Sequence, residues 1–466
     1  MKHAIVRPIY KNKGTTDDPQ YYRPISVPTV SSKIVKCAAV NRLVKYLEDE
    51  NKLYNSQHAY RQYHSTTSAL VEITEFLHKE LEKKNVPAIV ATDLSKAFDS
   101  VSHGLLLEKL ENLGLHKTCT EWIGLYLSER TQSTSFSSTT SDEDKVLAGV
   151  PQGSILGPIL FISFTADLAM ELDECKVVAY ADDAALLVSA PSWKALKVKI
   201  ENNISQAQNW YCKNGLLINS DKTEFMVVKE RGSYEINIKN GAQDVAIKSK
   251  DCLKVLGMKM DSSLSWRNHV SQIKSRTTNA IRNIARSNNV LPKQSRILLT
   301  NALVVPHYNY GDIIYDGCTA DARDTLERNQ HYAAKAILGW PKLSSSSTAL
   351  RELGWIPLHQ RRKIHQGVFI HKALRNRNSH HATSTINNLL PHHTHSTRHS
   401  HRNQFNSQQH HLSLTERSVM YRATHAWNSF PFEVRNIEST KGFKDSLQKH
   451  LIDKHKSDER HVGEDK

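Results

Sequence analysis

Cysteine is scarce here: six in 466 residues, at positions 37, 119, 175, 212, 252 and 318, with no Cys-x-x-Cys pair. That scatter excludes a zinc knuckle and gives no disulfide framework; it fits the reduced thiols of an intracellular protein. It does not separate nucleus from cytoplasm. Repeats are absent. The first ten residues lack the apolar core of a signal peptide and read as a strand, so the chain is expected to begin inside a fold. Uninterrupted apolar runs are missing too, with one near-exception. Residues Val146 to Ala166 carry no charge, but Gly149, Pro151, Gly153, Gly157 and Pro158 break them. A loop followed by a buried helix is expected there, not a membrane span. Acidic residues are the scarcer sign, 47 against 62 Lys plus Arg, for a net charge of +15. A generally basic surface would explain that, and so would a polyanionic partner.

What the chain does have is a pair of adjacent carboxylates, Asp182 and Asp183. They lie between the apolar runs Lys176–Ala179 and Ala184–Val188. Such flanks around a short polar break predict a tight hairpin with both acids at its tip. Each raises the other's pKa, a cost that a divalent cation with its preference for hard oxygen ligands would reward. Upstream, Val86–Thr92 reads as a buried strand ending at Asp93, and Leu94–Asp99 as a turn into a helix. Asp93 beside the hairpin would complete a cluster able to hold two metals roughly 3.5–4 Å apart, the arrangement that serves phosphoryl transfer.

Three strings in order, Asp93-Leu-Ser-Lys-Ala-Phe-Asp99, Gly149-Val-Pro-Gln-Gly-Ser154 and Tyr180-Ala-Asp-Asp183, resemble the palm motifs of reverse transcriptases. Tyr22-Arg-Pro-Ile-Ser26, Phe98-Asp-Ser-Val-Ser-His103 and Pro151–Pro158 resemble the non-long-terminal-repeat (LINE-type) retrotransposon branch. The resemblance implies an α+β right-hand polymerase, with fingers and an antiparallel palm sheet flanked by helices, then a mostly helical thumb and C-terminal region. It implies RNA-directed DNA polymerase activity with two Mg²⁺ ions, Mn²⁺ being able to stand in. The implied metal positions are Asp93, Leu94, Asp182 and Asp183. It implies that Arg61 holds the incoming triphosphate, with a lesser role for Arg23. Phe98 would abut the sugar and exclude a 2′-hydroxyl. Gln152 and Gly153 would line the nucleotide pocket with Tyr180, and Lys222 would approach the departing pyrophosphate as a proton donor. Plainer readings stand beside these: Arg61 and Arg23 as surface or ion-pairing arginines, Phe98 as core, Lys222 as a solvated lysine. His58-Ala-Tyr-Arg61 lacks the glycine usual in the family at this point.

The expected division is residues 1–260 for fingers and palm, 261–340 for the thumb, and 341–466 for a C-terminal region. Fingers would occupy 4–85, and the palm would start at 86. Cys252–Asp261 resembles the hairpin that grips a primer end. Trp266–Asn289 places Val270, Ile273, Thr277, Ile281 and Ile284 at helical spacing and carries five basic residues with no acidic one. Lys274, Arg282 and Arg286 are therefore expected on a duplex backbone. Ser344–Ser347 reads as a linker. Residues 380–411 hold nine of the 25 histidines and read as a flexible loop more than a metal site. Expected partners are an RNA template, a DNA primer, their hybrid and dNTPs; no membrane is expected, and protein partners are not legible. Nothing resembles an endonuclease or RNase H. Two other readings remain: a decayed or repurposed fragment that binds nucleic acid without catalysis, and an RNA-dependent RNA polymerase. Phe98 and Tyr180-Ala181 argue against the latter.

Overall fold

The computed structural model describes residues 2–375, 404, 405, 412 and 414–464, other than 13, 95, 220, 221, 231, 241 and 242, and leaves out the side chains of 240, 243, 244 and 454–464. The histidine-rich segment expected at 380–411 lies outside the described residues, save Gln404 and Phe405.

A four-stranded antiparallel sheet forms the centre, in the order Lys176–Tyr180, Asp183–Ala190, Val86–Thr92, Glu224–Val227. Val86–Thr92 is buried along nearly its whole length because helices cover both faces of the sheet. Ile89 points into the core shared with helix Thr66–Glu82. Ala88 and Val90 point into the opposite core, with helices Trp193–Lys213 and Gly157–Phe164. Successive strand side chains alternate faces, so only a run that is apolar at both parities fits. Helix Thr66–Glu82 starts at a capping box formed by Ser65 and Ser68. Ser192 caps Trp193–Lys213, which buries a stripe of Leu196, Ile200, Ile204 and Ala207.

A second sheet differs from the expected division at residue 85. His3–Tyr10 pairs antiparallel with Tyr22–Val27 and parallel with Thr131–Phe136, and two short strands at 139–140 and 144–145 extend it. Thr131-Gln-Ser-Thr-Ser-Phe136 has no apolar period to announce a strand, so its place beside His3–Tyr10 was not legible. The uncharged stretch resolves as expected, a loop and then the buried helix Gly157–Phe164. No helix among the described residues is long and apolar enough to cross a membrane.

The hairpin Cys252–Val255/Met258–Asp261 forms as expected, next to an unforeseen one, Glu235–Asn240/Gln243–Lys248. Helix Arg267–Arg286 buries Val270, Ile273, Thr277, Ile281 and Ile284 and leaves Arg267, Lys274, Arg276, Arg282 and Arg286 exposed. The linker expected at Ser344–Ser347 is not one. Ser345 caps helix Ser346–Glu352, whose Ala349 and Leu350 pack on Ala334. Nor does a seam appear near residue 340. One core runs from Leu70, Ile73 and Leu77 through Ile273 and Ile281 to Trp427, Phe443 and Leu447. Glu75 of helix Thr66–Glu82 accepts a 3.0 Å hydrogen bond from the Met420 amide at the start of helix Val419–Ser429. Burial pushes the Glu75 carboxyl up to about 7.

Candidate active site

Asp182 and Asp183 stand at the tip of the hairpin, where Tyr180 faces Asp183 across a two-residue turn. Ala181 sits in that turn at φ +59°, a region L-residues rarely adopt. Thr92 faces Ala184 on the neighbouring strand, and Thr92 Oγ1 donates to the Ala184 carbonyl at 3.2 Å. One further step in that register puts Asp93 beside Asp183. The electrostatics record the proximity: burial, then Asp182 and Asp93, push the Asp183 carboxyl up to about 6. Asp182 is raised by burial and by Asp93, against the Arg23 guanidinium, which lowers it. Lys222 Nζ reaches Asp93 Oδ2 at 2.7 Å. Leu94 is buried and bridges to Ile218, while the Asp93 carbonyl accepts from the Asn219 amide at 2.9 Å. Among the described residues, no three Asp, Glu, His or Cys side chains are drawn in close enough to clasp a metal ion. The three acids are neighbours at one end of the sheet, but an ammonium group occupies part of Asp93.

The nucleotide-side residues divide. Arg61 takes its plainer, ion-pairing reading here: its guanidinium is buried and hydrogen-bonded to Glu48, Tyr54 and Gln57. Nε and the second terminal nitrogen grip Glu48 at 2.8 and 2.7 Å, and the first donates to the Tyr54 and Gln57 carbonyls at 2.9 and 3.3 Å. A buried arginine that left this carboxylate would strand a charge, so Arg61 is a structural clamp. Arg23 is exposed, and its charge lowers the Asp182 carboxyl. Tyr60 joins it, at φ +58° and with its hydroxyl pKa raised by burial, Asp182 and Tyr180. The signal for Tyr60 was the aromatic beside Arg61. Arg23 was in view, but with less weight than Arg61.

Phe98 lies in the 3-10 turn Ala97–Ser100, not an α-helix, and its ring stacks on Phe161 at 4.4 Å between centroids. It is a core residue whatever else it touches. The glycines of Gly149–Ser154 are crowded by backbone. A Cβ on Gly153 (φ +105°) would meet the Ser26 carbonyl at 2.5 Å, and one on Gly149 (φ +90°) the Asp99 carbonyl at 2.7 Å. These glycines let the chain approach itself. The Gln152 carbonyl accepts from the Ser26 amide at 2.7 Å, while its side-chain Oε1 is buried without a partner. Lys274, Arg282 and Arg286 lie far along the chain on the exposed face of their helix, and none of them pairs with a carboxylate among the described residues.

A sequence profile for the family described as reverse transcriptase (RNA-dependent DNA polymerase) matches residues 9–260. The chain is 25% identical over 409 residues to a probable RNA-directed DNA polymerase from transposon X-element of Drosophila melanogaster, covering 84% of this chain and 43% of that protein. It is 27% identical over 351 residues to the RNA-directed DNA polymerase from mobile element jockey of the same organism, covering 73% and 38%. The chain thus spans less than half the length of these curated relatives. Among solved structures it is similar to an apo telomerase from Candida tropicalis, at 13% identity and a TM-score of 0.45, covering 75% of this chain and 59% of that one. That likeness is too loose to carry an argument.

Proposed function

Because the chain belongs to the reverse transcriptase family, in its non-long-terminal-repeat retrotransposon branch, we propose that it is an RNA-directed DNA polymerase adding dNTPs to a primer 3′-hydroxyl. The observation that carries the reading is the grouping of Asp93, Asp182 and Asp183 at one end of the sheet, where burial and then the two neighbouring carboxylates push Asp183 up to about 6. A hard, oxygen-only donor set of three carboxylates, with Lys222 on only one of them, fits a divalent cation. Asp93, Leu94, Asp182 and Asp183 are the positions that would hold two Mg²⁺ ions, with Mn²⁺ as substitute. When bound, the ions would activate the attacking hydroxyl and neutralise the leaving phosphate oxygen.

The chain's own groups do the rest. Lys222, now on Asp93, is placed to move its ammonium to a departing pyrophosphate and give it a proton. Arg23 supplies the cation for the triphosphate that Arg61 does not. Phe98 backs the sugar from the core, with Tyr180 and the Gln152–Gly153 loop beside the nucleotide. The basic helix Arg267–Arg286 carries the RNA–DNA hybrid by its phosphates, as the thumb of a hand whose fingers and palm take residues 1–260. Helices Leu358–Arg375 and Val419–Ser429 brace this arrangement, packing on Ala320–Leu338 and Thr66–Glu82.

One feature favours the other reading, a nucleic-acid-binding fragment without catalysis: the three carboxylates are not drawn into a clasp, and Lys222 already neutralises Asp93. Primer extension separates the two. With an RNA template, a DNA primer, dNTPs and Mg²⁺, the chain should extend the primer. Binding without extension would support the fragment.

A further inference from the structure

The catalytic turn has a support that the carboxylate chemistry does not use. Residues Ser56 to Ala59 lie along the outer edge of strand Lys176–Tyr180 as a short parallel partner, with Gln57 bridging to Ala179. The Ala179 amide donates to the Ser56 carbonyl at 2.9 Å, and the His58 amide donates to the Ala179 carbonyl at 2.8 Å. From this ledge the Gln57 side chain reaches into the turn itself. Its Oε1 accepts from the Ala59 amide at 3.0 Å and from the Ala181 amide at 3.3 Å. Ala181 is the residue held at φ +59°, immediately before Asp182.

Three features argue that this contact is more than packing. Gln57 is 1% exposed, and its Nε2 is buried with no partner. An unpaired buried amide donor is costly, and a methionine or leucine of similar size would fill the space without that cost. A non-glycine residue at positive φ also persists only where its surroundings over-determine it, and the Gln57 oxygen is a bond that fixes the Ala181 peptide. Lastly, the ledge is itself anchored. Glu72 accepts from Ser56 Oγ at 2.5 Å, pairs with His58 Nε2 at 2.7 Å, and pairs with Lys176 Nζ at 2.8 Å at the root of the hairpin strand. Burial alone would raise Glu72, but His58 and Lys176 hold it down to about 2, so it stays ionised. One buried carboxylate thereby ties the ledge to the strand that carries the turn.

We propose that Gln57 is a positioning residue for the catalytic turn: its side-chain oxygen holds the Ala181 amide and so sets where Asp182 and Asp183 present their carboxylates. The inference rests on the polymerase reading only for its kinetic consequence. Gln57→Leu removes the acceptor with little change in volume, whereas Gln57→Glu keeps an acceptor at the same reach.

Amide hydrogen exchange resolved at Ala181 reads the contact directly. In Gln57→Leu the Ala181 amide should exchange at least tenfold faster than in the wild type, while in Gln57→Glu it should stay slow. In primer extension Gln57→Leu should lower kcat tenfold or more, with template–primer Kd and dNTP KM within twofold of the wild type; Gln57→Glu should recover most of the rate. Unchanged exchange at Ala181 in a folded Gln57→Leu chain would overturn the proposal. So would equal damage from Gln57→Leu and Gln57→Glu. If Gln57→Leu does not fold, Gln57→Asn, one methylene too short to reach, takes its place beside Gln57→Glu with the same expected split. Should the wild type extend no primer, the polymerase reading fails, and the exchange comparison still decides the role of Gln57.

Discussion

At the scale of single residues, Asp183 gives the most direct handle. Its carboxyl is raised to about 6, whereas an unfolded aspartate titrates at about 3.9. Between those values the folded chain holds a proton that the unfolded chain has released. Asp183 therefore takes stability away as pH rises through this window. Divalent-ion binding runs the other way and should strengthen as pH rises through about 6. Calorimetric Mn²⁺ titrations at several pH values should show that midpoint, and Asp183→Asn should abolish it; an identical profile in the variant would assign the titration elsewhere. Phe98 has two roles to separate. Phe98→Ala should cost about 3–5 kcal/mol of stability, as large-to-small core changes do, while Phe98→Val should admit rNTPs in competition with dNTPs. A lowered melting temperature with unchanged discrimination would leave Phe98 a core residue only. The acids were legible in the sequence because two of them adjoin and the third ends an apolar strand. The fate of Arg61 was not, because Arg61 sits in a loop and its partner Glu48 lies on helix Val30–Asp49, whose facing is set by packing.

At the scale of elements, helix Arg267–Arg286 was legible within the expected span Trp266–Asn289, since its apolar stripe and unmixed positive charge need no tertiary knowledge. Neutralising Lys274, Arg282 and Arg286 together should weaken binding about equally across template sequences. It should also flatten the slope of log affinity against log salt by roughly one unit per lost contact. An unaltered slope would mean that the duplex runs elsewhere. The contact between Glu75 and the Met420 amide was not legible, because residues 75 and 420 lie far apart in sequence and meet only across the folded core. Its carboxyl, pushed up to about 7 by burial, keeps a proton where an unfolded glutamate, near 4.3, does not. Stability from this site is therefore present at low pH and falls as pH rises from about 4 to 7. Glu75→Gln keeps an acceptor for the amide and removes the charge, so thermal melts should show a flatter pH dependence and a gain at pH 8. A variant that melts lower than the wild type at pH 8 would count against the burial account.

At the scale of the whole molecule, the order of the motifs could be read from the sequence, but the closure of the chain on itself could not. The C-terminal region looked separable because a serine run preceded it. Trp427, Phe430, Phe443 and Leu447 instead complete the core that backs the central sheet. Removing residues 341–466 should therefore abolish a cooperative melt and not merely trim a tail. A 1–340 fragment melting near the full chain's temperature would show the core to be divisible. The central claim, however, is chemical, and one measurement tests it most directly: primer extension on an RNA template with dNTPs and Mg²⁺, comparing the wild type with Asp182→Asn. The account predicts template-directed extension by the wild type, none by the variant, and nearly equal RNA binding by both. A folded wild type that binds template and primer yet adds no nucleotide, or a variant that extends as well as the wild type, would contradict it.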